Sequence, residues 1–135
     1  IPVIMGMGGN IGTQSSTIVV RGIAMGRINH QDFSWVVSKE LAVGCILGVT
    51  YGTLIGVVAK IAYVEEPFSW ALSIAVGLAI LVSMSVAALV GSAVPLIFER
   101  FRIDPAVATG PFVTTSIDIV SVYCYFMIAK VLLGI

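Results

Sequence analysis

Long stretches without a charged side chain are the feature that most restricts what this chain can fold into. The longest of them runs from Phe68 to Phe98. A helix needs about 20 residues to cross a hydrocarbon layer of about 30 Å. Of the 135 residues, 59% are hydrophobic and only 10% are charged, and a water-soluble domain of this size cannot bury so much apolar surface. The sequence therefore predicts an all-α, integral membrane helical bundle.

Four apolar runs set the expected transmembrane helices, which cover roughly residues 1–26, 35–63, 68–98 and 105–133. Pro67 interrupts helical structure between the second and third runs. Pro105 suits the first turn of the fourth helix. Together the four helices form one transmembrane domain over residues 1–135, embedded in the lipid bilayer.

The basic residues are distributed unevenly between the two ends of the predicted bundle. One end carries Arg21, Arg27, Lys39, Arg100 and Arg102, and the other carries Lys60 and Lys130 beside Glu65 and Glu66. Connections rich in Lys and Arg stay in the cytoplasm, so the first and third connections are expected to face it. The formal net charge of zero offers no basic footprint for nucleic acid.

The first apolar run contains a stripe of polar side chains. Its members recur at spacings of three and four, which places them on one helical face: Asn10, Thr13, Gln14, Thr17 and Arg21. Such a stripe either lines water or supplies hydrogen bonds that hold helices together within the membrane. Five polar residues on one face favour a water-filled path.

Glycines are concentrated in the same run, at Gly6, Gly8, Gly9 and Gly12. This density weakens a regular helix and exposes backbone carbonyls, whose oxygens suit hard cations or their bound waters. Close packing of helices is the alternative. The second run has glycines every four residues from Gly44 to Gly56, a ladder that predicts packing against another helix.

Asp118 is the most informative residue of the chain. It lies 14 residues after Asp104 and 12 before Lys130, which at about 1.5 Å per residue places it near mid-membrane. A charged side chain there costs about 2.5 to 3.5 kcal/mol and is tolerated only beside water, a cation or a proton. The alternative is an Asp118 that is protonated, or paired with Arg21 or a tyrosine. The polar face around it is extended at helical spacings by Thr114, Thr115, Ser121 and Tyr125.

Two segments, GMGGNIGTQSSTIVVRGIAMG and GSAVPLIFERFRIDPAVATGPFVTTSIDI, resemble the transmembrane domain of the MgtE family of bacterial magnesium channels. The resemblance covers essentially the whole chain. It rests on three blocks that occur in the family order: GGN-x-G-x-Q, DPA-x-x-x-GP and TT-x-x-D.

This resemblance implies a two-fold symmetric homodimer whose central pore is lined by the first and fourth helices. It assigns the family's ion-binding aspartate to Asp118, and its pore-facing polar positions on the first helix to Thr13 and Thr17. A preceding transmembrane helix and cytoplasmic regulatory domains of the family are expected to be absent from these residues. Thr13 and Gly110 replace asparagines of some relatives, and an Asn-Asp pair becomes Ile117 and Asp118, departures that bear on fine selectivity.

Magnesium suits these residues, because Mg²⁺ sheds water reluctantly and prefers six oxygen ligands in octahedral geometry. The candidate metal-site residues are Asp118, Thr114, Thr17, Thr13, Asn10 and Gly9. The sequence thus predicts a magnesium-selective channel in the bacterial inner (plasma) membrane. A proton- or cation-coupled transporter and a non-conducting membrane scaffold subunit are the alternatives. An enzyme is not expected, since no nucleophile and base are identifiable and His30 falls in a connection.

Overall fold

The computed structural model describes residues 2–108 and 110–134, which form four long helices. Helix α1 spans Pro2–Ala24, α2 spans Phe33–Ala62, α3 spans Ser69–Arg100 and α4 spans Pro111–Leu133. Short 3-10 helices at His30–Asp32 and Pro105–Ala108 precede α2 and α4. The all-helical architecture predicted from the apolar runs is confirmed.

Three of the four helices, α2, α3 and α4, are long and apolar enough to cross a membrane. Helix α1 has 23 residues, which is sufficient length, but its glycines and polar stripe make it less apolar than the other three. The structure therefore supports a membrane protein. The count of four spans stays a prediction that depends on α1.

The fourth helix begins at Pro111 and not at Pro105, as the sequence had suggested. Gly110 adopts φ 71° and ψ −130°, a conformation that only glycine takes readily, and it breaks the path between the 3-10 helix and α4. Asp104 Oδ1 accepts a hydrogen bond of 3.0 Å from the Ala106 amide and so closes a separate turn. The other predicted boundaries lie within two residues of those observed, apart from Ile1, which is outside the described residues.

Helix α3 is the centre of the bundle and packs against α2, α1 and α4. The glycine ladder of α2 faces α3, because a Cβ atom added at Gly52 would lie 2.6 Å from the carbonyl oxygen of Gly77. The packing role that the sequence predicts for this ladder is therefore what the structure shows. A core of small and branched side chains between α1, α3 and α4 includes Ile80, Met84 and Ile117, each at most 2% exposed.

The connection between α1 and α2 lies at the same end of the bundle as the C-terminal end of α3. Glu99 Oε2 accepts hydrogen bonds from the His30 backbone amide and lies against His30 Nδ1, each at 2.9 Å. Consequently α1 and α3 run in the same direction, and α2 and α4 run in the opposite one. The side of the membrane that this end faces stays a prediction.

Candidate functional site

Helix α4 presents two neighbouring faces to the bundle. Val113, Ile117 and Ser121 recur every four residues and are at most 1% exposed, so their face is fully buried. Thr114 and Asp118 follow one residue later in each turn and are half-buried. Because successive helical residues are about 100° apart, the burial of Ile117 leaves Asp118 at the edge of the α1–α4 interface.

Glycines on α1 allow this helix to approach α3 and α4 closely. A Cβ atom added at Gly8 would lie 2.5 Å from Ser83 Oγ and 3.1 Å from Ser121 Oγ, and one added at Gly12 would overlap Ile117. Helix α1 is continuous through all of its glycines, so their carbonyl oxygens belong to the helix hydrogen-bond ladder. The expectation that the glycines weaken the helix and expose carbonyls is not met. Gly8 and Gly12 serve close packing, which was the alternative, whereas a Cβ atom added at Gly6 would meet nothing within 4 Å in the described residues.

The structure brings Gly9, Thr114 and Asp118 together. A Cβ atom added at Gly9 would lie 3.6 Å from Thr114 Cγ2 and 3.9 Å from Asp118 Oδ1. Since Gly9 has no side chain, the carboxylate of Asp118 approaches the backbone of α1 directly. Its oxygens form no hydrogen bond or ion pair with any residue in the described ranges, so neither Arg21 nor a tyrosine pairs with it there.

Two threonines of the candidate site use their hydroxyl protons within their own helices. Thr114 donates to the Gly110 carbonyl at 2.9 Å, and Thr17 donates to the Thr13 carbonyl at 2.8 Å. A hydroxyl that donates in this way keeps its oxygen lone pairs as acceptors. Both side chains therefore present acceptor oxygens, which suit the protons of water around a hydrated cation.

The polar residues of α1 form an outward surface that we call the α1 polar face. It comprises the exposed residues Asn10, Gln14, Thr17 and Arg21 and the half-buried Thr13. Four of these five side chains are exposed, so the other helices of the described chain leave most of this surface uncovered. Asn10, Thr13 and Thr17 thus lie on one face as predicted, but they form no hydrogen bond with Asp118 in the described residues.

Ser121 does not extend the polar face around Asp118, contrary to the sequence expectation. Its side chain is 1% exposed, and its Oγ lies 2.6 Å from Ser83 Oγ in a hydrogen bond between α4 and α3. Ser121 lies three residues after Asp118 but four after Ile117, and it shares the buried face of Ile117. Ser121 therefore holds helices together inside the bundle.

An apolar groove, which the sequence did not predict, lies beside Asp118. This open groove of about 480 Å³ is bordered by Asp118 together with Met5, Ile119, Val122, Tyr123 and Phe126. Ile119 and Tyr123 are 66% and 64% exposed, so much of this surface is uncovered in the single chain. The available signal for it was the i to i+4 spacing of its α4 residues, as in Asp118 and Val122 or Ile119 and Tyr123.

Comparison with known proteins identifies the family. Residues 1–128 match the family model MgtE, which is described as a divalent cation transporter. The chain belongs to the MgtE family. Among curated relatives, the magnesium transporter MgtE of Enterococcus faecalis is 37% identical over 130 residues, and that of Thermus thermophilus is 34% identical over 133 residues. The magnesium transporter MgtE of Bacillus subtilis is 30% identical over 129 residues.

These alignments cover 96% to 98% of this chain, which extends the family match over almost all of α1 to α4. The chain spans 28% of the length of each of the three relatives. The α1 polar face and Asp118 thus lie in the segment that this chain shares with the three relatives, which is about a quarter of the length of each relative.

Proposed function

We propose that this chain forms the pore of a magnesium-selective channel, which assembles as a two-fold symmetric homodimer in the bacterial plasma membrane. In this proposal α1 crosses the membrane beside α2, α3 and α4. The pore runs between the two copies of α1 and α4. The connection between α1 and α2 and the connection between α3 and α4 face the cytoplasm.

The observation that carries the proposal is a polar surface that the described part of the single chain leaves largely uncovered. The α1 polar face is exposed, and Asp118 lies beside it without a partner in the described residues. Lipid contact with an ionised Asp118 would cost about 2.5 to 3.5 kcal/mol. A second copy that presents the same surface across a two-fold axis encloses both polar faces and keeps them in water.

The charge of the site fits a divalent cation. Within residues 2–108 and 110–134, no three His, Cys, Asp or Glu residues are grouped so as to hold a metal ion. Asp118 is the one carboxylate within α1 and α4, so the two copies of Asp118 in a dimer provide two negative charges for one Mg²⁺. The remaining candidate side-chain ligands are neutral oxygens, on Asn10, Thr13, Thr17 and Thr114. Gly9 contributes the space beside Asp118.

A site with so few charges leaves the ion largely hydrated. Mg²⁺ holds its waters firmly, and two carboxylates with neutral oxygens cannot replace six of them. The acceptor oxygens of Thr17 and Thr114 are suited to bind the outward protons of those waters. Permeation of a hydrated ion follows, with Asp118 attracting the ion at mid-pore.

Replacement of Asp118 by asparagine tests this function, because the change keeps the side-chain shape and removes the charge. Unit charges about 4 Å apart attract by about 4 kcal/mol at an effective dielectric constant of 20. Even a third of that attraction corresponds to about a tenfold change in ion binding. We expect half-maximal Mg²⁺ uptake into liposomes to require a Mg²⁺ concentration that is at least about tenfold higher. We also expect the Na⁺ leak to rise.

Glu66→Gln is the matched control, since Glu66 is an exposed carboxylate in the connection between α2 and α3. It should leave both fluxes unchanged. Unaltered Mg²⁺ uptake and Na⁺ exclusion in the Asp118→Asn protein would refute the assignment of Asp118. A loss of pH coupling instead would indicate a coupled transporter, and an absence of Mg²⁺ flux in the unmodified full-length protein would indicate a scaffold.

A further inference from the structure

A groove of about 540 Å³ lies on the outer surface of the bundle between α2 and α3. Its lining residues fall between Gly48 and Leu81, and Asp118 is not among them. Its floor is formed by residues without a side chain: Gly48, Gly52, Gly56 and Gly77. Its walls are apolar side chains that include Val57 of α2 and Leu78 of α3, which are 53% and 41% exposed. We call this surface the α2–α3 groove. The glycine ladder that packs the two helices thus also creates a furrow beside their contact line.

One end of the α2–α3 groove carries a positive charge. Lys60, which borders the groove, donates a hydrogen bond of 2.5 Å to Ser69 Oγ and lies 4.4 Å from the centroid of the Trp70 ring. In the described residues no carboxylate lies within ion-pair distance of Lys60, including Glu65 and Glu66 of the nearby connection. A lysine ammonium has three donors, so two of them are available to a ligand.

The dimensions of the groove match one leaflet of a bilayer. Gly48 and Lys60 are 12 residues apart, about 18 Å along α2, and half of a hydrocarbon core of about 30 Å is about 15 Å. Lys60 lies near the C-terminal end of α2 and Trp70 near the N-terminal end of α3, where a membrane span meets the headgroups. Tryptophan is enriched at that level, and lysine extends its ammonium towards it.

We propose that the α2–α3 groove is a binding site for an anionic phospholipid. One acyl chain lies along the glycine floor between Val57 and Leu78, and the lipid phosphate accepts hydrogen bonds from Lys60. The Trp70 ring covers the glycerol region next to this contact. Charge complementarity selects the headgroup, since Lys60 is a cation without a carboxylate partner. This site is independent of the proposed pore, because none of its residues lies on α1 or α4.

Fluorescence quenching by brominated lipid tests the site, with Trp70 as the reporter. The full-length protein, with every other tryptophan replaced by phenylalanine, is reconstituted in phosphatidylcholine. It then receives a few per cent of phosphatidylglycerol or of phosphatidylcholine with bromine near the carboxyl end of the acyl chain. We expect the anionic lipid to quench Trp70 with about a fivefold preference, the size expected for one basic residue near the membrane surface.

Two pairs of variants separate the bound lipid from ordinary surrounding lipid. Lys60→Gln should abolish the preference and Lys60→Arg should retain it. Val57→Phe fills the groove and should weaken quenching by either lipid, whereas Val58→Phe should not, since Val58 is equally exposed at 53% but does not border the groove. Both valines are exposed, so neither change is expected to disturb the core.

A second single-tryptophan protein controls for general attraction of anionic lipid. It retains Trp35, over whose ring Lys39 lies at 5.0 Å, and neither residue borders the α2–α3 groove or the groove beside Asp118. An equal preference at Trp35 and Trp70, or an unchanged preference in Lys60→Gln, would overturn the proposal. Absence of Trp70 quenching by either brominated lipid would show that protein covers the groove and would overturn it as well.

Discussion

A methyl group at Gly52 is the sharpest test of how α2 and α3 are packed. The added Cβ atom would lie 2.6 Å from the Gly77 carbonyl oxygen and 3.4 Å from its carbonyl carbon. Both are backbone atoms of α3, so relief requires the two helices to move apart. At Gly6 of α1, by contrast, an added Cβ atom would meet nothing within 4 Å among the described residues. The two Gly→Ala variants therefore differ in steric consequence and share the same gain in helix propensity.

The expected free energies follow from these contacts. Overpacking costs about 1 to 3 kcal/mol, and we expect the upper half of that range at Gly52 because the opposing atoms are backbone. Alanine in place of glycine inside a helix gains about 1 kcal/mol. Gly52→Ala should thus destabilise by about 1 to 2 kcal/mol, and Gly6→Ala should stabilise by about 1 kcal/mol. Gly77→Ala, whose Cβ atom would lie 3.0 Å from the Gly52 carbonyl oxygen, should fall between them.

Denaturant-induced unfolding in mixed micelles measures these differences, with helix content followed by circular dichroism. The informative quantity is the difference between the free energies of unfolding of Gly52→Ala and Gly6→Ala, about 2 to 3 kcal/mol. If the two proteins agree within about 0.5 kcal/mol, α2 and α3 do not approach as closely as the structure describes.

Three further results are expected from the proposed pore. Ser34→Cys, which is exposed next to the start of α2, should react with an impermeant thiol reagent from the cytoplasmic side; labelling only from outside, with the pore closed, would reverse the orientation. Gln14→Cys on the α1 polar face should crosslink two copies in lipid and in mild detergent when the other cysteines are removed, and persistent monomers would contradict the dimer. Cobalt hexaammine, a non-exchangeable mimic of hydrated Mg²⁺, should block Mg²⁺ flux, and a protein that neither binds it nor is inhibited by it would rule out permeation of the hydrated ion.

The sequence predicts the helices well because apolar composition and length decide them almost alone. Helix α3 is the clearest case: it spans Ser69–Arg100, against a predicted 68–98. The start of α4 was missed because a single backbone conformation decides it. Gly110 has φ 71°, and neither hydropathy nor the favourable position of Pro105 signals that value. The glycines of α1 were ambiguous for a related reason, since the same residues either loosen a helix or pack it closely, and only the neighbouring helices determine which.

The α4 part of the site shows where helical periodicity loses its resolution. Ser121 is three residues from Asp118, which leaves the two about 60° apart around the helix, within the range that pattern analysis assigns to one face. Ser121 is also four residues from Ile117, only about 40° away, and Ile117 is 1% exposed against α1. The neighbouring helices therefore place the two polar residues in different environments. Ser121 forms a hydrogen bond with Ser83 inside the bundle, while Asp118 lies half-buried at the edge of the α1–α4 interface.

The position of Asp118 is consequently set by its apolar neighbour. Ile117 fits against α1 only because Gly12 has no side chain there, and this fit fixes the rotation of α4 about its own axis. With that rotation fixed, residue 118 must point about 100° away from the buried contact, to the edge where Gly9 leaves space beside α1. A bulkier residue at Gly12 would force Ile117 out and turn Asp118 with it. The tight glycine contacts of α1 and the half-buried carboxylate of α4 are thus one structural arrangement, because the close packing of Ile117 fixes the direction in which Asp118 points.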